Sequence, residues 1–166
     1  MKKIIVTVFF IICSLSFGEI KDNVGLFSEE DIKNITTVIE KIEKEKDIKV
    51  YLNTVIGEES FQLVTPQKTF IITYQKIGKD IIVTELKFTE DLKMGDKDQE
   101  IDLILDSLKD QLFEKQYVAY TTSLLEQINT LIPQKEELEN DDEENFPEDS
   151  GEVKKGFFKR IFSKNP

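Results

Sequence analysis

Histidine and tryptophan are absent from this 166-residue chain, and its one cysteine is Cys13. Beyond residue 13 there is neither thiol nor imidazole. That excludes a cysteine nucleophile, a histidine general base, a histidine-assisted serine and any zinc site built on Cys or His. It also excludes an internal disulfide, so stability must come from packing. Basic residues are outnumbered, 22 against 33 acids, for a net charge of −11 and a pI near 4.6. Such a surface repels the phosphate backbone, so no nucleic-acid partner is expected. The excess acid is compatible with cation binding, although solubility alone is reason enough for it. Any chemistry is left to Asp, Glu, Lys, Tyr, Ser, Thr or an oxygen-bound metal. A hydrophobic content of 39% and a charged content of 33% suit one globular domain with a heavily solvated surface.

Residues 1–18 read as a secretory signal. Lys2 and Lys3 precede an apolar run from Ile4 to Leu15, too short to span a bilayer comfortably, and Ser16-Phe17-Gly18 supplies small residues for cleavage before Glu19. The alternatives are a lipoprotein anchored through Cys13, against which the bulky Ile11-Ile12 argue, and an uncleaved anchor. The expected destination is the periplasm or cell envelope.

The folded part is organised around a helix from Ser28 to about Lys46. Ser28 is placed to cap it, Glu29, Glu30 and Asp31 sit where the helix dipole is positive, and Ile32, Ile35, Ile39 and Ile42 form one apolar stripe. After Asp47 the period falls to two: Ile48, Val50, Leu52 and Thr54 alternate with more polar neighbours, which predicts a strand. The helix cannot bury its stripe alone, so the sheet of that strand is its expected partner. Gly57-Glu58-Glu59-Ser60 predicts a turn, and Phe61 to Thr65, before Pro66, either a short strand or an irregular crossover. Thr69–Tyr74 predicts a central strand, apolar on both faces, joined through Gly78 to a hairpin partner at Ile81–Phe88. In the second strand Ile82, Thr84, Leu86 and Phe88 share one side, and Glu85 and Lys87 the other.

Thr89 to Gln99 is a polar connector. Its Asp96-Lys97-Asp98, with Glu100 and Asp102, resembles the start of a calcium loop but lacks the central glycine and distal glutamate of an EF-hand. An acidic helix N-terminus accounts for the same residues. Ile101, Ile104, Leu105, Leu108 and Leu112 predict a second helix; Tyr117, Tyr120, Leu124, Ile128 and Leu131 predict a third, ending at Pro133, with its tyrosines at the core and rim.

From Lys135 the character changes. Residues 135–152 hold ten acids against that one lysine, a net −9 expected to be a disordered linker. Residues 153–166 reverse the sign with Lys154, Lys155, Lys159, Arg160 and Lys164. Phe157, Phe158, Ile161 and Phe162 would fall on one helical face opposite the cations. This predicts a short basic amphipathic helix that folds on contact with an anionic membrane surface or with its acidic neighbour. Phe157, Phe158, Lys159, Arg160, Ile161 and Phe162 are thus the candidate membrane or partner contacts. A solubilising tail whose acidic and basic halves pair with each other is the bland alternative.

The order of elements resembles the TPM domain family over roughly residues 20–133. The resemblance rests on the lead-in Asp22, Gly25 and Leu26, the capped Ser28-Glu29-Glu30, the strand KVYLNTV, the hairpin, and the late helices FEKQYVAYTTSLLEQINTLI with Phe113 and Tyr117. It implies an α/β/α sandwich of about three helices around a small mixed sheet. It also implies an exported, often membrane-tethered protein, acting as a phosphatase, a calcium binder or an accessory factor without chemistry. Asp22 is the lead-in acid it offers as a metal ligand. The chain departs from the pattern in three places. Residues 56–68 leave little room for the helix usual between the first two strands, Thr84-Glu85-Leu86-Lys87-Phe88 carries no glycine where the family has a glycine-rich, acidic segment, and a charged tail stands where a membrane helix commonly follows.

The reading favoured by these features is a non-catalytic TPM-like envelope protein that binds a protein partner near a membrane. The alternatives are a divalent-metal-dependent phosphatase holding Ca²⁺ or Mg²⁺ through Asp22, Asp96 and Asp98, or a calcium-binding accessory module. The lack of any phosphate-cradling loop counts against the phosphatase.

Overall fold

The computed structural model describes residues 19–57, 67–78, 81–135 and 160–162, the last three and Ile81 by their backbone alone. The elements are β1 (Ile20–Asp22), α1 (Glu29–Lys46), β2 (Lys49–Ile56), β3 (Thr69–Ile77), β4 (Ile81–Phe88), α2 (Asp98–Phe113), α3 (Tyr117–Leu131) and β5 (Arg160–Phe162), with a 3₁₀ turn at Glu90–Leu92 after β4. The fold is α/β, with three helices around a small mixed sheet. The strands lie in the order β1-β2-β3-β4-β5: β1, β2 and β3 are parallel, β3 and β4 form the antiparallel hairpin, and β5 runs antiparallel to β4.

The register explains why the helices gather where they do. Val50, Phe70 and Phe88 stand in one cross-strand row, and Leu52, Ile72 and Leu86 in the next. Successive side chains along a strand point to opposite faces, so these rows line one face. There they join a single core with Ile35, Ile39 and Ile42 of α1, Ile101, Leu105 and Leu108 of α2, and Tyr120, Leu124 and Ile128 of α3. Phe70 and Phe88 stack with ring centres 4.7 Å apart. Phe27 and Tyr120 each meet Tyr74 edge-on, at 5.9 and 6.1 Å.

The start of α1 matches the sequence closely. Ser28 Oγ accepts from the Asp31 N–H and the Asp31 carboxylate accepts from the Ser28 N–H, a reciprocal capping box. Those hydrogen bonds hold the Asp31 carboxyl below its ordinary range. The helix ends at Asp47 in the left-handed conformation, with its N–H bonded to the Glu43 carbonyl. Lys93 after the 3₁₀ turn and Lys115 between α2 and α3 adopt the same conformation, again without glycine.

Two buried charged side chains tie the last turn of α1 to its neighbours. Glu43 Oε1 accepts from the Val50 N–H at 2.8 Å, setting where β2 begins. Lys46, 2% exposed, donates from Nζ to the Ile132 carbonyl at 2.8 Å. That carbonyl ends α3, where the helix dipole is negative and cations are favoured. We expect Lys46→Ala to lower stability by about 2 kcal/mol in denaturant unfolding, through an orphaned carbonyl and lost packing of the lysine stem. A loss under about 0.5 kcal/mol would show that water replaces the ammonium.

One expectation is corrected. The sequence predicts a helix in the basic tail, yet residues 160–162 are extended and pair with β4, Thr84 opposite Phe162, Glu85 opposite Ile161 and Leu86 opposite Arg160. The physical reason is the template. A one- or two-turn helix must form its own nucleus, whereas the outer edge of β4 offers backbone donors and acceptors already in line. The remaining tail residues, Phe157, Phe158 and Lys159 among them, lie outside the described residues. So do the signal segment 1–18, the crossover 58–66 and the acidic run from 136 onward.

Candidate functional site

Asp22 closes β1, and its carboxylate is fully engaged within the fold. Oδ1 accepts from the N–H groups of Gly25 at 2.9 Å and Leu26 at 3.1 Å and from Thr54 Oγ1 at 2.7 Å; Oδ2 accepts from the Phe27 N–H at 2.8 Å. Thr54 Oγ1 in turn accepts from the Val24 N–H at 2.9 Å. One side chain therefore shapes the whole turn from β1 to α1, with Gly25 at φ +70° supplying its left-handed step. Burial pushes the Asp22 carboxyl up. The hydrogen bonds from Thr54, Phe27, Leu26 and Gly25 outweigh that and hold it below the usual carboxylate range. Three donors crowd Oδ1 and one holds Oδ2, so a metal would have to compete with hydrogen bonds that shape the turn.

Asp96 is exposed in the turn before α2, and Asp98 is the first residue of that helix. With Glu100 it forms an acidic first turn. Among the described residues no three acidic side chains gather as a metal site requires. The structure thus puts Asp22 in a turn and Asp98 at a helix start, rather than bringing the three aspartates into one pocket.

The second face of the sheet carries a polar row that alternation alone does not reveal. Asn53, Thr73 and Glu85 stand opposite one another across β2, β3 and β4. Asn53 Nδ2 donates to Thr73 Oγ1 at 2.7 Å, Gln75 Nε2 donates to Glu85 Oε2 at 3.0 Å, and Lys87 Nζ lies 3.3 Å from Glu85 Oε1. These side chains are buried although none of the three helices packs on that face. Most of their polar groups pair with one another, although Asn53 Oδ1 is buried without a hydrogen-bond partner among the described residues, and the pairing fits a structural network better than a substrate site. A depression of about 350 Å³ between α1 and α3 is lined by Thr37, Val38, Lys41, Ile42, Glu126 and Asn129, without a convergent set of reactive groups.

The outer edge of β4 is the feature that sequence reasoning missed. β4 runs for eight residues, and β5 pairs with only the three from Thr84 to Leu86. The segment that supplies β5 is remote: Glu85 and Ile161 are 76 positions apart. On the opposite edge β1 is equally short, covering Leu52 to Thr54 of β2. The sheet is thus a rigid centre of three long strands, each edge bearing a three-residue strip. The only sequence signal for β5 was the apolar and β-branched content of residues 157–162, which periodicity reads as a helix just as well.

No family model, no curated protein and no solved structure matches this chain.

Proposed function

We propose that this chain is an exported, non-catalytic, TPM-like protein-binding module of the cell envelope, working near a membrane, and that it takes its partner by strand addition along the β4 edge. The observation that carries this reading is the pairing of β4 with Arg160–Phe162. An edge that accepts a short strand from a distant, highly charged segment has the geometry of β-augmentation, in which main-chain hydrogen bonds give affinity and alternate side chains give selectivity. The partner segment expected there is extended, as Arg160–Phe162 are, and rich in aromatic, branched apolar and basic residues, the composition of residues 156–164. The engagement of Asp22 by four internal donors weighs against the phosphatase and calcium readings.

A labelled peptide of residues 156–164, titrated into the full chain, tests this. β5 competes from the same molecule at an effective concentration on the order of millimolar, so binding to the unaltered chain is expected to be weak. Successive N–H groups of a strand point to opposite sides. Prolines at both Ile161 and Phe162 therefore remove whichever one faces β4. The Ile161→Pro/Phe162→Pro chain should bind the peptide at least tenfold more tightly than the unaltered chain. Equal binding, or none to either, would remove the edge as the partner's seat.

A further inference from the structure

We propose that the β4 edge selects its partner by the order of charges along the added strand, taking a segment of the form apolar–acid–apolar–base–apolar. This rests on the reading above that the edge is the partner's seat. Direction comes first. β4 runs antiparallel both to β3 and to Arg160–Phe162, so an incoming strand takes the antiparallel sense, in which residues stand directly opposite one another. Its side chains then extend the rows already crossing the sheet. The rows Val50-Phe70-Phe88 and Leu52-Ile72-Leu86 belong to the core beneath the helices. Positions opposite Phe88 and Leu86 are therefore apolar. So is the position opposite Thr84, which lies on the same face and is wholly buried.

The positions between them meet charge. The rows Tyr51-Ile71-Lys87 and Asn53-Thr73-Glu85 end at β4 in a lysine and a glutamate on the other face. Glu85 is 1% exposed and Lys87 9%, with Lys87 Nζ 3.3 Å from Glu85 Oε1. With so little water present, a like charge opposite either one is penalised more than at an open surface. An acid opposite Lys87 and a base opposite Glu85 complete a checkerboard in which every neighbour has the opposite sign. In an antiparallel guest the residue opposite Lys87 comes first, which fixes the order as acid, apolar, base. The chain's own strand pairs in a different order, with Arg160 opposite Leu86 and Ile161 opposite Glu85. A strand of matched order is thus a better complement to the edge than the segment resident there, as capture of an outside partner requires.

The test uses the full Ile161→Pro/Phe162→Pro chain and two peptides of one composition, Thr-Val-Glu-Val-Lys-Val-Thr and Thr-Val-Lys-Val-Glu-Val-Thr. The acid-first peptide is expected to bind about tenfold more tightly, since two opposite-charge pairs replace two like-charge pairs. Adding Glu85→Lys/Lys87→Glu, which keeps one charge of each sign on that face, should reverse the preference. Equal affinities, a preference for the base-first peptide, or binding of neither overturns the charge order. A swapped chain that folds and keeps the original preference overturns it too; if the swapped chain does not fold, the first comparison decides alone. Binding of the 156–164 peptide without discrimination between the ordered pair sinks the order and keeps the edge. No binding by any of the three sinks both.

Discussion

Replacing Tyr74 by alanine is expected to destabilise the protein by about 4 kcal/mol, near the upper range for an aromatic lost from a well-packed core. Tyr74 sits in the middle strand, fully buried, with Phe27 and Tyr120 packed edge-on against it. Its hydroxyl is 2.6 Å from Thr121 Oγ1, which donates its own proton to the Tyr117 carbonyl at 2.7 Å. Tyr74 must therefore be the donor to Thr121, and the phenol anchors α3 to the sheet. Tyr74→Phe, which removes only that bond, should cost about 1 kcal/mol. Denaturant unfolding of the two variants checks both figures; near-equal losses would mean that the hydroxyl, not the ring, holds the site together.

The same cluster sets an alkaline limit. Burial, together with the neighbouring Tyr120, pushes the Tyr74 phenol well above its usual range despite the opposing effect of its hydrogen bond with Thr121. Burial likewise pushes Tyr120 up to about 12, partly offset by Thr84. Each phenol keeps its proton in the folded state at pH values where the unfolded chain releases it, near 10. The folded state then binds more protons, so stability is intact below about pH 10 and falls as pH rises towards 12. Tyr120 alone accounts for a loss of about 3 kcal/mol over that window. Phenolate absorbance from the buried pair should therefore appear together with the loss of helical circular dichroism, and not before it.

Asp22→Ala is expected to cost about 3 kcal/mol, because it strands the amides of Gly25, Leu26 and Phe27 and leaves Thr54 without its acceptor. Asp22→Asn should fall between, since an amide retains one acceptor oxygen. The carboxyl is held below its ordinary value, so its contribution is present above about pH 4 and is lost as pH falls through the lowered folded value. Calorimetric titration with Ca²⁺ separates this from a metal role: the folded variant should bind Ca²⁺ as the unaltered chain does. A tenfold loss of Ca²⁺ affinity in Asp22→Ala would make Asp22 a ligand after all.

Local signals carried most of the architecture. The isoleucine stripe of α1, its Ser28 cap and the alternation after Asp47 act within a few residues, so they are readable without a fold. The placement of Thr69–Tyr74 at the sheet centre followed from its two apolar faces. The role of Asp22 was less accessible. Turn chemistry was visible in Asp22-Asn23 and Gly25, but Thr54, its strongest side-chain partner, lies 32 positions away. β5 was hidden for a related reason. Whether Arg-Ile-Phe becomes helix or strand depends on an open edge that only the folded sheet provides. Likewise the alternation places Glu85 and Lys87 together on the second side, but it does not say that this side is buried.

Asp47, Lys93 and Lys115 bear on how this chain can evolve. Each holds a left-handed backbone that glycine would adopt with about 1 kcal/mol less strain. Three places that end or join helices thus carry tension that a single codon change at each could relieve. A protein selected for the greatest rigidity would not keep all three, whereas one selected only to stay folded loses nothing by them. The chain thus holds an untapped reserve of stability, which could offset destabilising substitutions elsewhere in the domain only once glycine at these positions had realised it.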